Sequence, residues 1–191
     1  NDIIIFVDAF DVWIKGDLKK VIKIFKKNKY KVLFSKDHVI EKIPGGKYIQ
    51  EKLFPTTCDK DTIINPGLYM GYVKYLKIIL KDTKKSKNKD DQRIVNLNCN
   101  KYKFLSIDYK NKIFENVGSN NEIKLSKAVF IQYPGKPSIK RYSRAVGEYS
   151  PYFKYEIISL IIFIIFIYLF IKYYNLIKYK IFPLKNKNNE S

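Results

Sequence analysis

Histidine is almost absent from this chain: His38 stands alone among 191 residues. The two cysteines, Cys58 and Cys99, are far apart in sequence and neither has a histidine beside it. A zinc finger or a histidine-based zinc centre is therefore excluded. The cysteines leave two readings, a disulfide or a pair of buried thiols, and the thiols are preferred. Arginine is nearly as scarce. Only Arg93, Arg141 and Arg144 are arginines among the 37 basic residues, which leaves 34 lysines. The formal charge of +19 would suit a polyanion partner. Yet the lysines are scattered among acidic and apolar residues, with no arginine-rich arm and no helix-turn-helix or finger spacing. They read as a solvated surface, and no nucleic-acid partner is expected.

One uncharged run is long. Residues 157–171, IISLIIFIIFIYLFI, hold 15 positions without a charge, and the apolar segment continues past Lys172 to Ile177. As a helix, these 21 residues extend about 31 Å, the hydrocarbon thickness of a bilayer. A buried core helix would carry a polar face, and this run offers only Ser159. Residues 157–177 are therefore read as a transmembrane helix, after a linker at 150–156 and before a basic tail at 178–191. Lys172 can snorkel from it, and Tyr168, Tyr173 and Tyr174 suit an interface. The tail carries lysines against Glu190 alone, which favours a cytosolic tail and a lumenal domain.

Upstream, the chain alternates. Residues 3–7 (IIIFV) read as a strand and 17–27 (DLKKVIKIFKK) as an amphipathic helix; KVLF at 31–34 is a second strand. A loop rich in Pro and Gly is expected next, through Pro44, Gly45 and Gly46 to Pro55. Residues 62–64 lead through Asn65-Pro66-Gly67 into a strand at 68–71. VKYLKIIL at 73–80 is helical in pattern, 81–89 a polar loop, and 90–98 a helix opened by carboxylates. Short strands are expected around 104–107, 113–115 and 128–132. Such alternation predicts an α/β fold, a mixed sheet flanked by helices. In open sheets of this class, ligands gather at the carboxyl ends of the strands.

That is where FVDAFDV places Asp8 and Asp11. Two carboxylates three apart repel unless a positive charge lies between them, and a hard divalent cation supplies it. The plain alternative is that Asp11 caps the following turn.

The segments VDAFDV, VLFS, INPGLYMGY, DDQRIVN, FENV and IQYPGKPS follow one another at spacings that matter jointly. In that order they resemble the glycosyltransferase domain of the procollagen lysyl hydroxylases and their collagen glycosyltransferase-like relatives. The likeness covers residues 3–149 and echoes the wider metal-dependent GT-A fold. It implies that residues 1–149 form such a domain in part. The early strands that grip the nucleoside would precede the segment at hand.

The resemblance also implies roles. Asp8 and Asp11 would bind Mn2+ or Mg2+, which bridges the diphosphate of a UDP-sugar donor. Gln132 stands where relatives carry the third ligand, a histidine, and would ligate as a neutral oxygen. Phe10 stands where relatives carry tyrosine, beside the nucleotide. Asn65 would face the sugar, with Gly67 allowing close backbone approach; a simple tight turn weighs equally there. Asp91, and with it Asp90, would orient or deprotonate the acceptor hydroxyl, although Asp90 also suits a helix N-terminus. Gly135 and Lys136 would hold the diphosphate, with Lys140 and Arg141 as further charges. His38 reads as a surface or rim residue.

The resulting expectation is a single-pass membrane enzyme of the endoplasmic reticulum or Golgi. It would move glucose or galactose to a hydroxyl on a protein or glycan, such as hydroxylysine of a collagen-like protein. The alternative is a non-catalytic, membrane-anchored remnant that binds or scaffolds. A basic nucleic-acid binder ranks third.

Overall fold

The structure is a computed structural model that describes residues 2–38, 46–86, 90–133 and 150–181. It divides into two compact units, 1–138 and 139–191.

The first unit is built on two small mixed sheets. In one, β1 (Ile3–Val7), β3 (Val32–Lys36), β4 (Ile64–Tyr72) and β5 (Leu105–Ile107) stand in the order β1-β4-β3-β5. The long β4 runs antiparallel to both β1 and β3, while β5 is parallel to β3. The other sheet has the order β2-β7-β6, from β2 (Val12–Ile14), β6 (Phe114–Asn116) and β7 (Phe130–Gln132). There β2 is antiparallel and β6 parallel to β7. The carboxyl ends of β1, β3, β5, β6 and β7 thus gather with the start of β4, and this end carries the chemistry.

β3 is buried on both faces, as a continuous run of Val32, Leu33 and Phe34 requires. Its side chains alternate between two cores. Leu33 joins Val21, Phe25, Leu68, Met70, Phe114 and Phe130. Val32 and Phe34 join Ile64, Leu76, Ile79, Val95 and Ile107. Full burial of one such side chain contributes about 1.5–3 kcal/mol. α1 (Leu18–Lys27) presents Val21 and Phe25 to the first core and its lysines to solvent. Asp17 starts it by accepting the Lys19 N–H at 2.8 Å. α3 (Val73–Lys85) and α4 (Asp91–Leu97) cover the second core through Leu76, Ile79 and Val95.

Several expectations are corrected. Residues 46–53, expected as loop, form α2 (Gly46–Leu53). Residues 81–85, expected in a polar loop, continue α3, because Asp82 and Thr83 find partners there: Thr83 Oγ1 donates to the Ile79 carbonyl at 2.7 Å. Asn65-Pro66-Gly67 does not precede a strand but lies inside β4, where the pairing with β3 slips from Phe34–Tyr69 to Ser35–Asn65. A proline is tolerated within a strand at such a bulge. β2 and α5 (Asn120–Leu125) were not foreseen. Cys58 and Cys99 form a disulfide, against the preference for thiols. It ties the segment before β4 to the end of α4.

The second unit contains α6 (Lys154–Ile181). Its stretch Lys154–Tyr174 has mean hydropathy 2.4, has no buried residue, and is long and apolar enough to cross a membrane.

Candidate functional site

The chain reverses sharply between β1 and β2, and the reversal is pinned at both ends. The Asp8 N–H donates to the Gly67 carbonyl at 2.9 Å, and the Asp11 carbonyl accepts the Tyr133 N–H at 2.9 Å. Between these anchors Phe10 takes a φ of 78° and is fully exposed. Few bulky residues adopt that left-handed backbone, and its strain is concentrated beside the two aspartates.

Both aspartates turn to Gln132, which β7 delivers and which is only 4% exposed. Its Nε2 donates to Asp8 Oδ2 at 3.0 Å and approaches Asp11 Oδ1 and Oδ2 at 3.3 and 3.4 Å. Its Oε1 is buried and has no partner. Gly67 makes room for the group: a Cβ there would lie 2.5 Å from Gln132 Oε1 and 2.6 Å from Asp8 Oδ2. Glycine is needed here for space, since its φ is not left-handed.

Asn65 accepts the Gly67 N–H through Oδ1 at 2.8 Å and donates through Nδ2 to Asp37 Oδ1 at 3.2 Å. Its side chain therefore shapes the bulge that holds Gly67. Asp37, at the end of β3, gathers three further donors. They are the His38 N–H at 2.9 Å, Gln50 Nε2 at 2.9 Å and Gln92 Nε2 at 2.9 Å. Burial pushes its carboxyl above the usual carboxylate range, and the four hydrogen bonds pull the other way. Through Gln92, which also donates to the Ile64 carbonyl at 3.1 Å, the same residue fixes the start of α4.

α4 opens with Asp90 and Asp91. Asp90 accepts the Arg93 N–H at 3.1 Å and is a helix cap. Asp91 Oδ1 accepts the Gln92 N–H at 2.8 Å. Its pKa is raised, first by burial and then by the charges of Asp90 and Asp8, so Asp8 and Asp91 sense one another. Tyr69 lies in the same field: its hydroxyl is shifted up by burial and by Asp91 and Asp8. Its ring is stacked between Phe6 and Phe34, at centroid distances of 4.8 and 4.9 Å.

The structure thus brings together Asp8, Asp11, Gln132, Gly67, Asn65 and Asp91, with Phe10 at the rim. Gly135 and Lys136, with Lys140 and Arg141, lie outside the described residues. His38 packs its imidazole against Gly118, where a Cβ would sit 2.5 Å from Nε2, and it is half-buried. Asp37 and Tyr69 were missed. The cavity of about 450 Å³ near the disulfide shares no residue with this cluster.

Among the described residues no three His, Cys, Asp or Glu side chains stand close enough to hold a metal ion. The donors to weigh are two carboxylates and one amide. Asp8 and Asp11 converge on the Gln132 amide, whose Nε2 faces them, while its unpartnered Oε1 is the third oxygen a cation site there would need. Such an all-oxygen set fits a hard cation such as Mg2+ or Mn2+.

The α/β fold gathers these carboxylates at the strand ends, and the comparison of sequences gives the class, a glycosyltransferase-like domain. The chain belongs to the family described as PLOD GT domain, whose profile matches residues 1–132. Procollagen-lysine,2-oxoglutarate 5-dioxygenase 1 of Gallus gallus is 28% identical over 129 residues, covering 64% of this chain and 17% of the relative. Procollagen-lysine,2-oxoglutarate 5-dioxygenase 2 of Homo sapiens is 29% identical over the same number of residues, with the same coverage. The similarity thus spans less than a fifth of either relative's length.

Proposed function

We propose that the chain is a metal-dependent hexosyltransferase that moves glucose or galactose from a UDP-sugar to a hydroxyl acceptor. The observation that carries this reading is the convergence of Asp8 and Asp11 on one point, with Asp91 close enough to feel Asp8's charge. Mn2+ or Mg2+ held by Asp8, Asp11 and Gln132 would neutralise the charge that develops on the departing nucleoside diphosphate. The protein's own residues would do the rest. Phe10 offers an exposed ring for the nucleobase. Asn65 would face the sugar, with Gly67 letting the backbone approach it closely. Gly135 and Lys136 contribute an amide and a point charge. Asp91 accepts the proton of the attacking hydroxyl, a role its raised pKa suits. Asp90, occupied as a cap, supports it electrostatically.

The relatives' names mention procollagen lysine, and hydroxylysine on a collagen-like protein is the proposed acceptor. Anchorage through α6 in the endoplasmic reticulum or Golgi is part of the same proposal. A second reading, a non-catalytic membrane-anchored binding protein, is favoured by one observation: the Gln132 amide already satisfies both aspartates.

The test uses the full chain in detergent, with UDP-glucose or UDP-galactose and a hydroxylysine peptide. Manganese-dependent UDP release is expected, falling at least about a hundredfold in the Asp8→Ala, Asp11→Ala double variant. Release by wild type that equals the double variant's would discard the transferase in favour of the binding protein.

A further inference from the structure

We infer that Gln132 determines which cations the site accepts, and that it does so by turning its amide over. The inference rests on Asp8 and Asp11 forming a cation site and not on the transferase reaction.

An amide has two unlike ends, and only one can face a pair of carboxylates. Without a cation, Nε2 must face them, because Oε1 would oppose two anions with a third acceptor and no proton between them. This is the observed arrangement, with Nε2 3.0 Å from Asp8 Oδ2 and 3.3 Å from Asp11 Oδ1. The NH2 group stands in for the missing positive charge. The arrangement has a cost on the other side. Oε1 is buried without a partner in a residue 4% exposed, and an unsatisfied buried acceptor costs about 1–3 kcal/mol. Gly67 leaves the space the amide occupies, since a Cβ there would lie 2.5 Å from Oε1 and 2.6 Å from Nε2.

A divalent cation reverses the preference. It repels the amide's NH2 and attracts its carbonyl oxygen, so loading requires the side chain to rotate by half a turn. Gln132 would then complete an all-oxygen set, which favours Mg2+, Ca2+ and Mn2+ over the transition metals that imidazole prefers. Each binding event must first break the NH2 contacts with both aspartates. The site is therefore weaker than one with a preformed third ligand, and more selective for hard ions.

The measurement is made on the full chain in detergent. In 15N-labelled wild type freed of metal by chelation, the Gln132 side-chain NH2 pair should resonate at a hydrogen-bonded position, identified by its loss in Gln132→Glu. Saturating Mg2+ should move it away. In Gln132→Glu three carboxylates meet with no donor between them. Its thermal midpoint in chelator should fall several degrees below wild type and recover with Mg2+ or Mn2+, with Mn2+ bound at least tenfold tighter. Gln132→His should shift the ratio of Zn2+ to Mg2+ affinity at least tenfold toward Zn2+. The inference is overturned if the NH2 pair is unmoved at saturating Mg2+. It is equally overturned if chelated Gln132→Glu melts with wild type. Should that variant fail to fold under any condition, the NH2 pair is identified by its loss in Gln132→His, and its response to Mg2+ decides.

Discussion

Phe10 sits in a backbone conformation that costs an L-residue about 1–2 kcal/mol, and its ring touches solvent rather than a core. The hydrogen bonds at Asp8 and Asp11 hold the turn in this form, while the ring itself packs on nothing, which motivates the proposed contact with the nucleobase. Phe10→Gly should raise the unfolding free energy by about 1 kcal/mol while weakening UDP binding in the presence of Mn2+. Chemical denaturation and calorimetric titration would read the two effects separately. Lower stability together with unchanged UDP binding would refute the assignment. The pair Asp8 and Asp11 was legible because it follows an apolar strand directly. Asp37 was not. Its partners lie 13, 28 and 55 residues away in Gln50, Asn65 and Gln92, and no local spacing announces a carboxylate that works by collecting distant amides.

Elements with strong periodicity were readable at this scale: β1, β3 and the α1 stripe stand where the apolar pattern puts them. β2 and α5 are too short to show a period, and the glycines and proline at 44–46 masked the helix that begins at Gly46. The Asn65-Pro66-Gly67 bulge inside β4 looks like a turn because its residues are turn formers; the pairing of Asn65 with Ser35 and the Asp8 N–H bond to the Gly67 carbonyl keep it in the sheet. The disulfide was hidden for a similar reason, since Cys58 and Cys99 meet through the packing of α4 against β4. It closes a loop of 41 residues. In the loop-entropy view its loss costs about 3–4 kcal/mol. The Cys58→Ser, Cys99→Ser double variant should shift the denaturant midpoint accordingly. It should also loosen α4, which amide hydrogen exchange at Ile94 and Val95 would report; protection unchanged there would separate the bond from the stability of α4.

For the molecule as a whole, two independent features address the compartment. Disulfides persist in oxidising surroundings, so the Cys58–Cys99 bond is compatible with the lumenal placement proposed for the domain. The lysine-bearing tail, set against Glu190 alone, favours the cytosolic side. With α6 as the span, protease added to intact microsomes should remove the tail and leave the domain's epitopes whole. Digestion of the domain without detergent would contradict this orientation. The high positive charge carries no such information, being spread as lysine over solvated faces.

The contact between Gln132 and Asp8 joins residues 124 apart. A ribosome adding about 5–20 residues per second needs roughly 6–25 s to cover that interval. Throughout that time the growing chain holds two neighbouring anions without the Gln132 amide that balances them in the folded domain. β1 is equally early, yet its register depends on β4, whose first residue follows Val7 by 57 positions. The site is therefore the last part of the domain to become chemically coherent, closing only when β7 emerges. Until then the acidic pair is open to whatever cation or basic protein is nearby, and the first ion to occupy it need not be the one it eventually keeps.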